Sequence, residues 1–196
     1  MNSEKWWDEK LNIRTNGRDA SFEDRHHYPY EPTPYGVLQL LAESRWIGKE
    51  DLLVDYGCGK GRVSFFMAAM SGCRSIGIDF NPQFILAAEQ NLADYRGEKS
   101  RITFLAENAE HFAPPEEADR FYFFNPFSEK ILQAVIRRIL DSWYRSPRLI
   151  RMFFYYPSDE YAASLMTVEE LAFVDEIDCS GLFPGDRRER ILVFEL

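Results

Sequence analysis

Short apolar runs and amphipathic stretches alternate along most of this chain. Seven runs have the length and the apolar or aromatic content of β-strands, and polar or turn residues bound each of them. These predicted strands cover 52–55, 75–79, 102–105, 120–124, 149–156, 173–179 and 190–194. Apolar residues recur at helical spacing over 63–70, 82–95 and 129–143, and a further apolar helix is predicted over 37–46. Strands therefore alternate with helices from residue 37 onward.

Such alternation is typical of a parallel sheet that helices cover on both faces. Residues 181–188, between the last two strands, are rich in Gly, Pro and Asp and show no helical pattern. Those two strands are therefore predicted to pair antiparallel. The predicted fold is α/β, a three-layer sandwich with a mostly parallel seven-strand sheet, helices on both faces and an antiparallel C-terminal hairpin.

One domain is predicted for the chain, because 196 residues are enough for a single core and no linker or repeat divides them. Within it, residues 1–50 are predicted to form an N-terminal arm and helix that cap the mouth of the site, and residues 51–196 a Rossmann-like core. Residues 1–27 show no clear element. Their aromatic residues suggest a lid over the site or, as the favoured interpretation, an arm docked on the core.

The strongest chemical signal follows the first predicted strand. Asp55 precedes Gly57, Gly59 and Gly61, and an apolar helix begins directly after them. Glycines let a backbone turn sharply and approach a nucleotide-type cofactor closely. A dinucleotide fingerprint would need glycine where the chain has Arg62. The pattern instead resembles motif I of class I S-adenosylmethionine-dependent methyltransferases, which implies that this loop passes the methionine part of the cofactor.

The ends of the next two strands are expected to complete the cofactor site. Asp79 ends the second strand, and Asn81 and Pro82 after it suit a helix N-cap and a first helical position. An acid here can accept hydrogen bonds from both ribose hydroxyls, so Asp79 is the predicted ribose ligand, the alternative being a solvated acid before a cap. The resemblance implies a polar group for the adenine amino group after the third strand. Asn108 is assigned to it, with Glu107 as the alternative and a helix cap as a second role for Asn108.

Asn125, Pro126 and Phe127 directly follow the fourth predicted strand. Ligands of open α/β sheets lie beyond the carboxyl ends of the strands, so this tripeptide is predicted to face the transferred methyl group. It resembles the Asn/Asp-Pro-Pro-Tyr/Phe motif of amino-group methyltransferases, shortened by one proline, and more loosely the Asn-x-Phe of a group of lysine methyltransferases. The resemblance implies an amine that Asn125 aims and Phe127 packs against. The missing proline argues against a flipped nucleobase, and a turn that merely closes a buried strand is the alternative.

Upstream of the glycine loop, residues 30–37 read YEPTPYGV. This segment resembles the one that precedes motif I in amino methyltransferases and lines the methionine end of their pocket. The resemblance implies cofactor contacts for Tyr30 and Thr33. Over roughly residues 28–130 the dispersed motifs are similar to those of uncharacterised bacterial class I methyltransferases, which implies S-adenosyl-L-methionine as the cofactor.

The charge balance bears on the acceptor. The formal net charge is −9, whereas a nucleic-acid enzyme normally presents a basic surface to the phosphates. There is also no room for a target-recognition domain. A protein side-chain amine or a small-molecule amine is therefore the predicted acceptor, ahead of an RNA or DNA amino group, and the oligomeric state stays open. A nicotinamide oxidoreductase and a module that binds the cofactor without transferring its methyl group are the remaining alternatives.

No metal site and no membrane association are predicted. The three cysteines are widely spaced, and His26 and His27 have no matching ligand partners elsewhere in the chain. No apolar run approaches the roughly twenty residues of a membrane span, and residues 1–11 are charged where a signal peptide would be apolar. The expected location is the cytoplasm.

Overall fold

The computed structural model describes residues 3–18 and 30–196. Within these residues seven strands form one sheet: β1 Leu52–Tyr56, β2 Arg74–Asp79, β3 Ile102–Ala106, β4 Arg120–Phe124, β5 Arg151–Tyr155, β6 Ala172–Asp178 and β7 Arg190–Glu195. Their order is β3-β2-β1-β4-β5-β7-β6. The first five strands pair in parallel, and β7 runs antiparallel to both β5 and β6. The predicted fold class is confirmed, including the C-terminal hairpin, whose last strand inserts between β5 and β6.

Six α-helices and a 3₁₀ turn, Lys99–Arg101, accompany the sheet in the described ranges. The α-helices are α1 Glu4–Leu11, α2 Tyr35–Glu43, α3 Arg62–Ser71, α4 Pro82–Asp94, α5 Glu129–Arg145 and α6 Asp159–Met166. Four of them were predicted, whereas α1 and α6 were not. Each of these two has only eight residues, which is too short for helical periodicity to stand out. Both start at a serine N-cap, Ser3 and Ser158, whose side chain accepts a hydrogen bond from the first turn.

Two apolar layers flank the sheet. Residues of α1 to α4 pack on one face, and residues of α5 and α6 pack on the other. Side chains of each strand alternate between the layers, so Tyr122 faces the first while Phe121 and Phe123 face the second. Within the second layer Phe123 stacks between Tyr56 and Phe154, at ring-centroid distances of 4.9 Å and 4.6 Å. These three stacked rings cross β1, β4 and β5 near their carboxyl ends and stabilise that edge of the sheet.

A buried arginine attaches the N-terminal segment to the first helix of the core. The Arg62 side chain, 2% exposed, donates to Thr15 Oγ1 and Asn16 Oδ1, each at 2.7 Å, and to the Thr33 carbonyl at 3.1 Å. It also forms an ion pair with Glu4. The position that distinguishes this chain from a dinucleotide fingerprint therefore serves the docking of α1 and the residues after it.

Asp8 of α1 completes the same buried network. Its carboxylate accepts from the Thr15 backbone at 2.9 Å, the Thr15 hydroxyl at 2.7 Å and the Tyr35 hydroxyl at 2.6 Å. Trp7 beside it is buried and packs against the rings of Tyr35 and Phe66. In the described part of the arm, the buried aromatic side chain thus packs against α2 and α3. Two further aromatic residues of the N-terminal segment, Phe22 and Tyr28, and the pair His26 and His27 lie outside the described residues.

No helix in the described ranges is long and apolar enough to cross a membrane.

Candidate cofactor and acceptor site

A cavity of about 410 Å³ opens at the carboxyl edge of the sheet, beside the end of β1. After β1 the chain continues to β2 on one side of that strand, and it later returns to form β4 on the other side. Crevices at such a switch point are the usual ligand sites of open α/β sheets. Seven of the predicted site residues line it: Tyr30, Gly57, Asp79, Asn108, Asn125, Pro126 and Phe127. The other four predicted residues, Thr33, Asp55, Gly59 and Gly61, do not line the cavity.

The glycine loop is folded tightly against the end of β2. The backbone N–H groups of Gly57 and Cys58 both donate to the Ile78 carbonyl at 2.9 Å. Gly57 and Gly59 have φ angles of +74° and +52°, a region that L side chains rarely adopt. A Cβ on Gly57 would lie 2.6 Å from Pro126 Cβ, and one on Gly59 would lie 2.2 Å from the Tyr30 ring. The loop is therefore closely covered by two other predicted site residues.

Asp79 is the anchor of this loop. Its side chain, 7% exposed, accepts from Gly59 N–H through Oδ2 at 3.0 Å and from Asn81 N–H through Oδ1 at 2.9 Å. Asn81 in turn caps α4, because its side-chain oxygen accepts from Gln83 N–H at 2.9 Å. Asp79 thus presents to the cavity a carboxylate whose position the backbone fixes.

Asp55 lies behind the loop, near the end of β1 and between β2 and β4. It is 2% exposed, and its Oδ2 is buried without a hydrogen-bond partner among the described residues. Burial, together with the charge of nearby Asp79, raises the pKa of Asp55 to about 8. Gly61, farther along the loop, is the N-cap of α3. An unpaired buried carboxylate oxygen in this place leaves an acceptor next to the glycine loop.

Residues of the 30–34 segment meet the loop from the side of the N-terminal arm. The Tyr30 ring covers Gly59, lies 5.1 Å from the Phe84 ring, and is held by a hydrogen bond of 2.6 Å from its hydroxyl to the Thr15 carbonyl. Thr33 is buried, and its hydroxyl lies 3.1 Å from that of Tyr122. Tyr30 therefore forms part of the cavity wall, whereas Thr33 supports the segment from behind.

The end of β3 contributes Glu107, Asn108 and Ala109 to the cavity. Asn108 Oδ1 accepts from Glu110 N–H at 2.8 Å within a turn, and because no helix lies between β3 and β4, the alternative of a helix cap is wrong. The same amide retains its N–H₂ group as a donor. Of the three residues, only Glu107 has a side chain that can act solely as an acceptor when ionised.

Asn125 leaves β4 in a strained conformation, with φ at +39°. Its side-chain oxygen is buried and has no hydrogen-bond partner among the described residues, although the residue lines the cavity. Pro126 packs against Gly57, and Phe127 is 4% exposed, with its carbonyl accepting from the Tyr161 hydroxyl. Of the tripeptide, Asn125 is thus the residue that presents an unsatisfied polar group.

Several wall residues were not predicted. Phe80 and Phe84 extend the wall beside Asp79, and Tyr155, Tyr156, Phe183, Glu31 and Glu189 form the wall beyond Asn125. The rule that ligands lie beyond the carboxyl ends of parallel strands would also have pointed to Phe80 and to Tyr155 with Tyr156. Phe183 and Glu189 belong to the connection between β6 and β7, and no sequence pattern relates them to this edge.

Among the described residues, no three or more His, Cys, Asp or Glu side chains are grouped closely enough to hold a metal ion.

Comparison with known proteins gives the same picture of the domain. A family profile described as "Methyltransferase domain" matches residues 53–147. Over 78 residues the chain is 31% identical to a protein-lysine N-methyltransferase of Saccharolobus islandicus, a match that covers 39% of this chain and 45% of that protein. Over 60 residues it is 35% identical to a ribosomal protein L11 methyltransferase of Saccharophagus degradans, covering 31% of this chain and 20% of that protein. The matched part is less than half the length of either relative.

Solved structures resemble the whole fold at low sequence identity. An RNA methyltransferase of Salinibacter ruber, in complex with S-adenosyl-L-homocysteine, superposes with a TM-score of 0.56 at 18% identity and covers 84% of this chain and 92% of its own. A TehB-like S-adenosylmethionine-dependent methyltransferase of Corynebacterium glutamicum gives 0.59 at 16% identity, with 89% and 90% covered. The chain therefore has the class I methyltransferase fold, as predicted. The matched family profile supports the predicted enzyme class and S-adenosylmethionine as the cofactor.

Proposed function

We propose that this protein is an S-adenosylmethionine-dependent methyltransferase that methylates an amino nitrogen, on a protein side chain or a small-molecule amine. The observation that carries the acceptor assignment is made at Asn125. This residue lines the cavity of the glycine loop and Asp79, and its buried side-chain oxygen has no partner among the described residues. The names of the two sequence relatives, both methyltransferases and one acting on protein lysine, support a protein acceptor.

The cavity suits the cofactor on three grounds. The glycine loop brings backbone close to the cavity, and Asp79 presents a fixed carboxylate for the ribose hydroxyls. Phe80 and Phe84 offer apolar surface for a planar base, with Glu107 and Asn108 at its polar edge. When bound, S-adenosylmethionine supplies an electrophilic methyl group on a sulfonium sulfur.

In this proposal Asn125 orients the amine nitrogen of the acceptor. An amine N–H donates to the side-chain oxygen of Asn125, which leaves the nitrogen lone pair free to point along the line of displacement. An acceptor that arrives as an ammonium first loses one proton to water. With S-adenosylmethionine bound, this nitrogen would take the methyl group as the S–C bond breaks, the electron pair of that bond would stay on sulfur, and the product nitrogen would carry the positive charge.

The substitution Asn125→Ala tests this role. We expect the affinity for S-adenosylmethionine, measured by calorimetry, to stay within about threefold while turnover falls by at least about 100-fold, because the lost contact acts at the reacting centre. Turnover is measured as transfer of labelled methyl groups from the cofactor to host-lysate protein. A proportional loss of affinity and turnover would make Asn125 a wall residue only.

The same assays separate the alternatives. A module that only binds the cofactor would show affinity without transfer, and a nicotinamide oxidoreductase would bind NAD in preference to S-adenosylmethionine. Fractionation of the labelled lysate distinguishes protein and small-molecule acceptors from RNA. Label in the RNA fraction would contradict the proposed acceptor, which the net charge of −9 favours over nucleic acid.

A further inference from the structure

The wall of the cavity divides into two parts along the sheet edge. Residues at the ends of β2 and β3 form one part, which the proposed function assigns to the cofactor. Residues at the end of β5 and in the β6–β7 connection form the other, the outer wall: Tyr155, Tyr156, Phe183 and Glu189, together with Glu31 from the N-terminal segment. Asn125 and its neighbours at the end of β4 lie between the two parts. An acceptor held by Asn125 therefore extends along the outer wall.

Aromatic rings form a continuous surface beside this outer wall. The Phe124 ring lies 4.6 Å from Tyr155 and 6.3 Å from Tyr156, and the two tyrosine rings lie 6.0 Å apart. Tyr156 has a φ of +53°, so a strained residue follows β5, as Asn125 follows β4, and both residues line the cavity. Such a surface binds alkyl chains by apolar contact and cations through the ring faces.

The charged residues that line the cavity are all acidic. They are Glu31, Asp79, Glu107 and Glu189, and no Lys, Arg or His lines it within the described residues. The nearby Arg188 guanidinium lies 4.1 Å from the Tyr156 ring centroid and 3.9 Å from Asp186, so its charge is balanced inside the β6–β7 connection. The outer wall thus offers negative charge beside aromatic rings.

Glu189 is the carboxylate that the fold holds in place there. Its Oε2 accepts from the buried Tyr155 hydroxyl at 2.7 Å, and its backbone is fixed by hydrogen bonds to Cys179 and Asp186. Its other side-chain oxygen has no hydrogen-bond partner among the described residues. Partial burial raises the pKa of Glu189, and the carboxylates of Asp186 and Glu31 add to the rise, while Tyr155 and Arg188 oppose it. A cation at the outer wall would relieve the repulsion between Glu189 and Glu31.

We infer that the outer wall is a subsite for an alkylammonium chain, the side chain of lysine, and that Glu189 is the specificity residue that binds its ammonium group before deprotonation. This inference rests on the proposed function, because it takes Asn125 to mark the reacting end of the cavity. Glu189 makes no bond to the methyl group, and its contact with the ammonium group comes before the one in which the deprotonated nitrogen lies against Asn125. It selects a cationic acceptor over a neutral one, and the aromatic rings hold the methylene chain.

The test measures binding to the full chain with S-adenosylhomocysteine present, so that no transfer occurs. The probes are a short peptide with one lysine among glycines and the same peptide with norleucine, which lacks the ammonium group. We expect wild-type protein to prefer the lysine peptide by about tenfold or more, because a charge-assisted contact is lost with norleucine. In Glu189→Gln the preference should fall below about threefold with an unchanged affinity for S-adenosylhomocysteine, since glutamine can still accept from Tyr155.

Glu160→Gln is the matched control, because Glu160 is exposed in the first turn of α6 and the change removes the same charge. It should keep the preference for the lysine peptide. Glu189→Asp should restore part of it, and in turnover assays Glu189→Gln should raise KM more than it lowers kcat. A preference that survives in Glu189→Gln, or its absence in wild-type protein, would overturn the inference. Selective binding of the lysine peptide without methyl transfer would instead contradict the proposed function and leave the subsite standing.

Discussion

At the scale of single residues, the site depends on positions where ordinary side chains would not fit or would not be stable. Gly59 has a left-handed backbone under the Tyr30 ring, and Asn125 keeps a strained backbone and an unsatisfied oxygen. Strain and unpaired polar groups cost free energy, so folded proteins tolerate them mainly where a ligand or a reaction uses them. Both residues lie where the sequence motifs predict the cofactor and the acceptor.

Replacement of Gly59 by alanine tests how closely the loop is covered. The new Cβ would lie 2.2 Å from Tyr30 Cε2, so Gly59→Ala should displace the ring and weaken S-adenosylhomocysteine binding by at least about tenfold. The backbone itself adds roughly 1–2 kcal/mol of strain. In a Tyr30→Ala background, Gly59→Ala should weaken S-adenosylhomocysteine binding distinctly less, since the ring that the new Cβ would contact is absent.

Calorimetry on the four proteins of this cycle gives the coupling between the two sites. Gly181→Ala serves as the control, because a Cβ on Gly181 meets no atom within 4 Å. Equal losses from Gly59→Ala in both backgrounds would show that backbone strain, and not the ring, requires glycine at this position.

At the scale of elements, a buried charged network joins α1 to the core in addition to the apolar contacts of Trp7 and Leu11. Arg62 and Asp8 are both buried, and between them they hold Thr15, Asn16, Thr33 and Tyr35. The Thr15 carbonyl in turn accepts a hydrogen bond from the Tyr30 hydroxyl, and this bond fixes the Tyr30 ring over the glycine loop. The arm therefore supports one wall of the cofactor site from a distance.

Removal of the buried guanidinium should be costly, because it leaves Asp8 without its cationic partner. We expect Arg62→Met to lower the free energy of unfolding by about 3–5 kcal/mol, the usual effect of breaking a buried pair. Lys5→Met is the control on the same helix: Lys5 lies 3.6 Å from Glu9 with side chains 83% and 66% exposed, and its loss should cost under about 1 kcal/mol. Urea denaturation measures both, and similar small losses would mean that α1 docks by its apolar contacts alone.

At the scale of the whole molecule, the packing of the sheet determines the charge state of its most buried acid. Asp55 lies in β1, an inner strand between two covered faces, and its pKa of about 8 reflects that burial first and the charge of Asp79 second. In an unfolded chain the same group has its ordinary pKa of 3.8. Folding therefore favours the protonated acid over a wide range of pH.

The pH dependence of stability follows from this difference. Between pH 3.8 and about 8 the folded protein keeps a proton that the unfolded chain has lost, so the Asp55 contribution falls as the pH rises through this range. The variant Asp55→Asn has no carboxyl group at this position that titrates. The difference in unfolding free energy, wild type minus variant, should decrease by up to about 1.4 kcal/mol per pH unit and level off above pH 8. Urea denaturation from pH 5 to 9 measures it, and parallel curves for the two proteins would contradict the burial assignment.

Local patterns in the chain are enough to predict the seven strands, four of the helices and the edge at which the site lies. Strand and helix periodicity depend on near neighbours, and the parallel arrangement brings the ends of successive strands to one edge. These patterns therefore predict that Asp79 and Asn125 lie together, the resemblance adds Asn108 after the third strand, and all three line the cavity. The short helices α1 and α6 were not predicted, because the apolar periodicity of eight residues is too weak to detect.

Contacts between distant segments account for the rest. Arg62 is buried and holds several partners because α1 packs beside α3. Glu189 lines the cavity because β7, which directly follows it, inserts between β5 and β6. Neither position has a local pattern that distinguishes it from an exposed charge, since the burial of a side chain depends on segments far away in the chain. The motifs thus predict the cofactor part of the cavity and the amine acceptor at Asn125, whereas the positions of Phe183 and Glu189, and with them the proposed preference for lysine, depend on tertiary packing.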